Sequence, residues 1–266
     1  MTPTPLPSFN QLFLSGQGPR ANDAVKRLFW ILEGPLESSI FVLDDPAQPE
    51  GPRQPYFQQT LAGTTWHPVS QEPMTTAGVS SITVKARSPL DDWQASWKDE
   101  HRHADPDDED CVFEEAIAED GWVYDRLLRC CGEDLPPKAP SLVVEASDKP
   151  YVTVHDYLTA VHPWLLPLRQ NILSAMSVFN PVPAGIKLVV DCTSVDGVNI
   201  REEGEWIRGR RPTGPAVGPS LEPFASLGMQ PDITLFMPHD PNTPGYDRYR
   251  EFHQRLNEIG QGWERW

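Results

Sequence analysis

The stretch YVTVHDYLTAVHPWLLPLRQNILSAM, residues 151–176, constrains the fold more than any other. Thr153 with Asp156 three residues on has the form of a helix-start box, in which each side chain answers the other's backbone N–H. An acidic group there also suits the helix dipole. Apolar side chains follow at Val154, Leu158, Val161, Leu165, Leu168 and Ile172. Alternating steps of four and three keep them on one helical face. Tyr157, Trp164, Leu173 and Met176 widen it. A stripe of this kind predicts the spine of a core. Pro163 and Pro167 interrupt it, because each removes a backbone donor and crowds the preceding turn, at about 3 kcal/mol apiece inside a helix. Two helices are therefore expected, jointed across residues 162–167, with the second over 168–178 and Trp164 turned into the core.

The same stretch carries His155 and His162, seven residues apart and able to share a face. With Asp156 they would make a catalytic or ligand pair. The reading preferred here is structural: His155 as a first-turn surface residue and His162 as a helix-end residue favoured by the dipole.

Elsewhere the elements must be short, since the chain has 29 prolines in 266 residues, about twice the usual share of roughly 5%. Residues 22–34 predict a helix capped by Asn22, with Val25, Leu28, Phe29 and Leu32 on one face and Gly34 at its end. Strands are expected at 38–43, 56–61, 80–86, 140–146 and 186–190. A turn at Asp196 and Gly197 leads to another at 198–200. Residues 89–140 differ in composition. A helix opens at Pro89 with Leu90, Trp93 and Trp97 on one face, an acidic loop ADPDDEDC follows, and VFEEAIAEDGWVYDRLLRCCGEDLPP predicts one or two further helices closed by Gly132. Residues 208–231 read as loop, 232–239 as a last buried strand and 245–266 as a closing helix. No repeat is convincing. The expected fold is α+β, a mixed or mainly antiparallel sheet of about five to seven strands, with helices on one face and residues 89–140 as an acidic helical insertion. One compact unit over 1–266 is the first expectation, and two lobes, 1–140 and 141–266, the alternative.

The run LVVEASDKPYVTVHDYLTAVHPWLLPLR resembles a pattern in uncharacterised proteins of filamentous fungi, where a strand leads into a VTV-x-D-x-L helix start. The resemblance covers residues 141–180, with the strand at 186–190 as its outer limit. It implies a fungal, intracellular origin and carries over no activity and no site residue.

Formal charge is −16, which repels phosphate backbones and anionic lipid and argues against nucleic acid or membrane surfaces as partners. No apolar run is long enough to span a bilayer, and the first residues lack the basic start and apolar core of a signal peptide. A cytoplasmic location is expected. The cysteines, Cys111, Cys130, Cys131 and Cys192, form no CxxC pair, so a zinc ribbon or thioredoxin motif is absent. They are read as reduced thiols, the adjacent pair on a helix.

Four groupings are candidates for chemistry. His101 and His103, with Asp99, Glu100, Asp105, Asp107 and Asp108 close by, form a His-x-His that can hold one ion on an extended backbone. The spacing does not fit an EF-hand. His239 and Asp240 follow an expected strand, and Asp191 ends another, so a histidine and a carboxylate could act as general base. No G-x-S-x-G, H-E-x-x-H, Walker or G-x-G-x-x-G pattern occurs. Arg208, Arg210 and Arg211 stand together in an acidic chain and suit carboxylates, either the chain's own block at 105–120 or a partner's surface. Tyr249, Phe252, Leu256, Ile259, Trp263 and Trp266 form an apolar seam, docked on the core or serving a dimer or a protein partner.

The leading expectation is a non-catalytic protein that works by binding, to itself or to a protein partner, with no cofactor. The alternative is a cofactor-independent hydrolase or lyase using His239 with Asp240 or Asp191. A metal-binding role through His101 and His103 is third.

Overall fold

A computed structural model of the chain describes residues 5–211, except 62, 119, 120 and 180. All of them belong to a compact unit spanning residues 1–213. The class is α+β and the sheets are mainly antiparallel.

The chain opens with α1 (Phe9–Leu14), boxed by Ser8 and Gln11, and α2 (Asp23–Lys26). Asn22 caps α2 as expected, its Oδ1 accepting the Ala24 N–H at 3.2 Å. The predicted helix over 22–34 stops there, however, and β1 (Leu28–Trp30) follows. The reason is the unbroken apolar run. Leu28, Phe29 and Trp30 are all buried, which a strand packed on both faces permits and a one-faced helix does not. Next come α3 (Leu36–Ser39), β2 (Ile40–Leu43), β3 (Arg53–Pro55), β4 (Phe57–Thr60), β5 (Gly63–Trp66) and β6 (Ser81–Ala86).

The block over 89–140 departs from the all-helical expectation. It holds one helix, α4 (Leu90–Glu100), and then a separate antiparallel sheet of β7 (Val112–Ile117), β8 (Val123–Cys130) and β9 (Glu133–Asp134). Alternating Phe113, Glu115 and Ile117 pair with Leu127, Asp125 and Val123, and Gly121 takes the positive φ of 87° that the intervening turn requires. Glu and Ala favour a helix in isolation, but the two-residue alternation and the turn chemistry decide.

The chain closes with β10 (Ser141–Glu145), α5 (Val154–Leu165), α6 (Arg169–Phe179), β11 (Leu188–Asp191), β12 (Gly197–Glu202) and α7 (Glu203–Arg210). The main sheet has the order β10-β6-β12-β11, with only β12–β6 parallel, and a second has the order β1-β2-β3. An antiparallel bridge between Ile31 and Val189, with Leu32 N–H to the Leu188 carbonyl at 2.9 Å, joins them edge to edge.

Thr153 and Asp156 form the expected box at the start of α5: Thr153 Oγ1 accepts the Asp156 N–H at 3.1 Å, and Asp156 Oδ2 accepts the Thr153 N–H at 2.9 Å. The stripe behind it is buried at Val154, Leu158, Val161, Leu165 and Ile172, with Leu168 half-buried. Trp164 packs against the same core. The joint lies slightly later than predicted. Pro163 sits inside α5, and the break is a 3₁₀ turn at Leu166–Leu168. Burial of His162 and Leu165 holds the backbone helical past the first proline. On the other side of the sheet, Phe29, Leu43 and Val189 pack around Trp206 of α7. A helix thus covers part of that face as well.

Candidate metal centre

The centre is built where α4 ends and the β8–β9 hairpin turns. His101 terminates α4, its N–H bonded to the Trp97 carbonyl at 3.1 Å. Its ring stacks on Trp97, with centroids 4.4 Å apart, and is 6% exposed. Nδ1 lies 2.7 Å from the same carbonyl. A carbonyl only accepts, so Nδ1 carries the hydrogen and Nε2 keeps its lone pair. This is the arrangement that orients a metal-binding imidazole.

In the hairpin, Cys130 pairs with Glu133 and the two turn residues, Cys131 and Gly132, both take positive φ, 52° and 80°. These signs are those of a type I′ turn. A left-handed cysteine costs about 1–2 kcal/mol, and the turn places two adjacent thiols together. A metal-ligating atom of His101 and the Sγ atoms of Cys130 and Cys131 lie within 4.8 Å of one another. His103 Nε2 stands 3.2 Å from Cys131 Sγ and 3.5 Å from Cys130 Sγ, and the two sulfurs are 3.7 Å apart. Around zinc, with Zn–S near 2.3 Å and Zn–N near 2.0 Å, tetrahedral geometry separates S from S by about 3.8 Å and N from S by about 3.5 Å. Cys111 donates its S–H to Cys130 Sγ at 3.3 Å.

Cys130 is buried, and burial, followed by the Cys111 and Cys131 thiols, pushes its pKa up. A bound cation reverses that effect, because it stabilises the thiolate directly.

The carboxylates expected beside His101 and His103 face elsewhere. Asp99 pairs with Arg102 at 2.6 Å, Glu100 accepts from Ser96, and Asp105 and Asp108 accept the N–H groups of Asp107 and Asp110. The thiols complete the cluster, and the absence of CxxC hid them. Nor do Cys130 and Cys131 sit on a helix. The one available signal was density: three of the four cysteines lie within 101–131, along with His101 and His103.

The other candidates are dispersed. His162 lies in the last turn of α5, as expected, but inside the core. It is 2% exposed, Nδ1 accepts the Trp30 indole N–H at 2.9 Å, and Nε2–H donates to the Gly34 carbonyl at 3.0 Å. His155 is half-buried, with Nδ1 3.0 Å from the Tyr56 hydroxyl and its ring 4.8 Å from Trp66. Asp156 caps α5 and does not bond His155. Asp191 Oδ1 accepts from Thr193 and meets Arg210 at 3.6 Å. Arg210 also lies over Trp206 and donates to the Lys26 carbonyl, while Arg211 pairs with Glu50 at 2.5 Å. These two arginines answer Asp191 and Glu50, not the acidic block. Arg208 is exposed on α7 beside a groove of about 610 Å³ that also takes in Asp92, Arg201 and Glu205. That groove holds no histidine. His239, Asp240, Tyr249, Phe252, Leu256, Ile259, Trp263 and Trp266 lie outside the described residues.

Comparison with protein-family models, curated proteins and solved structures finds no match. Among the described residues, no helix is long and apolar enough to cross a membrane.

Proposed function

We propose that this chain is a non-catalytic binding protein built around a structural metal centre, with a zinc-class ion held by His101, His103, Cys130 and Cys131. The observation that carries this reading is the convergence of His101, Cys130 and Cys131, with His103 set against the two sulfurs, at the base of a sheet without a core of its own. No residue of β7, β8 or β9 belongs to either buried apolar cluster. A small element that cannot bury enough apolar surface needs a staple, and a four-ligand metal supplies one.

Three of the four ligands have a distinct anchor. His101 is oriented by the Trp97 carbonyl and by stacking. Cys130 is fixed by the β8 ladder and Cys131 by the turn. Four protein ligands leave no open position for substrate, so the ion serves structure. Cys111, through its S–H, steadies the Cys130 sulfur from outside the ligand set. A thiolate site of this kind suits a reducing compartment, in keeping with a cytoplasmic location.

Elemental analysis of the full chain purified without added metal tests the reading. About one equivalent of zinc per chain is expected, lost in Cys130→Ser and kept in Cys111→Ser, whose hydroxyl still donates. A metal-free wild type that stays metal-free after addition of zinc contradicts it.

A further inference from the structure

The β7–β8 hairpin has two unequal faces. Residues paired across an antiparallel ladder share a face. On one face Glu114 is answered by its cross-strand partner Arg126, next to Ala116 and Tyr124. On the other, Glu115 stands directly opposite Asp125, between the apolar pairs Phe113–Leu127 and Ile117–Val123. Like charges placed opposite one another destabilise a hairpin. Both carboxylates are exposed, and among the described residues neither forms an ion pair. Ile117 and Val123 are 72% and 51% exposed. The face therefore carries an uncompensated negative row between two apolar rows, in a chain of net charge −16.

We propose that this face docks a basic segment of another protein, in which an arginine or lysine lies between apolar side chains. The cation would sit between Glu115 and Asp125, relieving their repulsion. The flanking apolar groups would cover Ile117 and Val123 on one side and Phe113 and Leu127 on the other. Charge complementarity selects this occupant: a nucleic acid or an acidic surface would add repulsion at the same row. The proposal rests on the metal reading only in that the centre holds the hairpin's base in place.

The test uses the full chain with metal content measured in every sample. The probe is a fluorescent twelve-residue peptide of alternating leucine and arginine, read by anisotropy, with a leucine–glutamate peptide as control. The arginine peptide should bind and the control should not. Glu115→Gln with Asp125→Asn should weaken binding about tenfold. Asp107→Asn with Asp108→Asn, the same change of charge off the face, should leave it within about twofold. Equal effects of the two double variants, or no binding by metal-loaded protein, overturn the proposal while leaving the metal reading intact. Wild type that binds the peptide and stays metal-free after addition of zinc leaves the proposal standing and removes the metal reading. A dimer in sedimentation velocity that Ile117→Lys dissolves identifies the occupant as a second copy and overturns the proposal.

Discussion

Two of the described histidines differ in what their second nitrogen meets. His162 has both ring nitrogens engaged inside the core, by an indole donor and a carbonyl acceptor. His101 has Nδ1 on a carbonyl and Nε2 4.0 Å from a Glu133 carboxylate oxygen, with the Cys130 and Cys131 sulfurs in the same cluster. Replacing His162 with Ala leaves the Trp30 N–H buried without a partner and opens a cavity, at a cost of about 2–4 kcal/mol in denaturant unfolding, with metal content unchanged. Asp156 is the titration site to follow. Burial alone would raise its pKa, but hydrogen bonds from Ser147 and Thr153 outweigh burial and hold it below the usual value. A depressed carboxylate pKa stabilises the fold above the unfolded-state pKa of about 3.9 and loses that contribution as pH falls through the folded value. Asp156→Asn should therefore narrow the stability gap to wild type as unfolding is measured below about pH 4. Cys192 gives a further contrast. Burial first, then Asp191, pushes it up to about 12, against a smaller opposing effect of Arg210. It should resist iodoacetamide in the native protein. Cys131 is exposed and should react when metal is removed and be protected when it is restored. The Thr153–Asp156 box was legible in the sequence because a cap is local. Of the proposed metal ligands, His101 and His103 were named from the sequence but Cys130 and Cys131 were not, because a helix end and a hairpin turn bring thiols and imidazoles together only in three dimensions.

The elements show where local pattern suffices. The four-three rhythm of α5 and α6 read correctly as a buried stripe, since helical periodicity needs no knowledge of the partner surface. Leu158→Ala in its centre should cost about 2–5 kcal/mol, seen as a lower midpoint in urea. The hairpin of β7 and β8 was misread because Glu and Ala at 114–118 favour a helix, while the deciding terms, Gly121 in the turn and the pairing of Ile117 with Val123, lie across the ladder. β1 was misread for a related reason: only the packed sheet shows that both its faces are covered. At the β8–β9 turn, Gly132 has φ 80° and open space where a Cβ would stand. Gly132→Ala therefore costs backbone strain of about 1 kcal/mol with no clash. It should weaken zinc affinity in a competition titration without unfolding the main sheet.

At the scale of the whole molecule, two kinds of cohesion coexist. The joined sheets bury a large apolar cluster with α5 and α6 and a smaller one under α7. The β7–β9 sheet contributes to neither, and the thiol–imidazole cluster ties its base to the end of α4. Removal of metal should thus be felt unevenly. Hydrogen exchange should lose protection at residues 104–135 while the β10-β6-β12-β11 sheet keeps its own. The measurement that bears most directly on this account is the absorption spectrum of the cobalt-substituted full chain. Two thiolates and two imidazoles in a closed site predict intense tetrahedral bands and a sulfur-to-cobalt charge-transfer band, both lost in Cys130→Ser. Weak octahedral bands with no charge transfer, unchanged by that substitution, would contradict it.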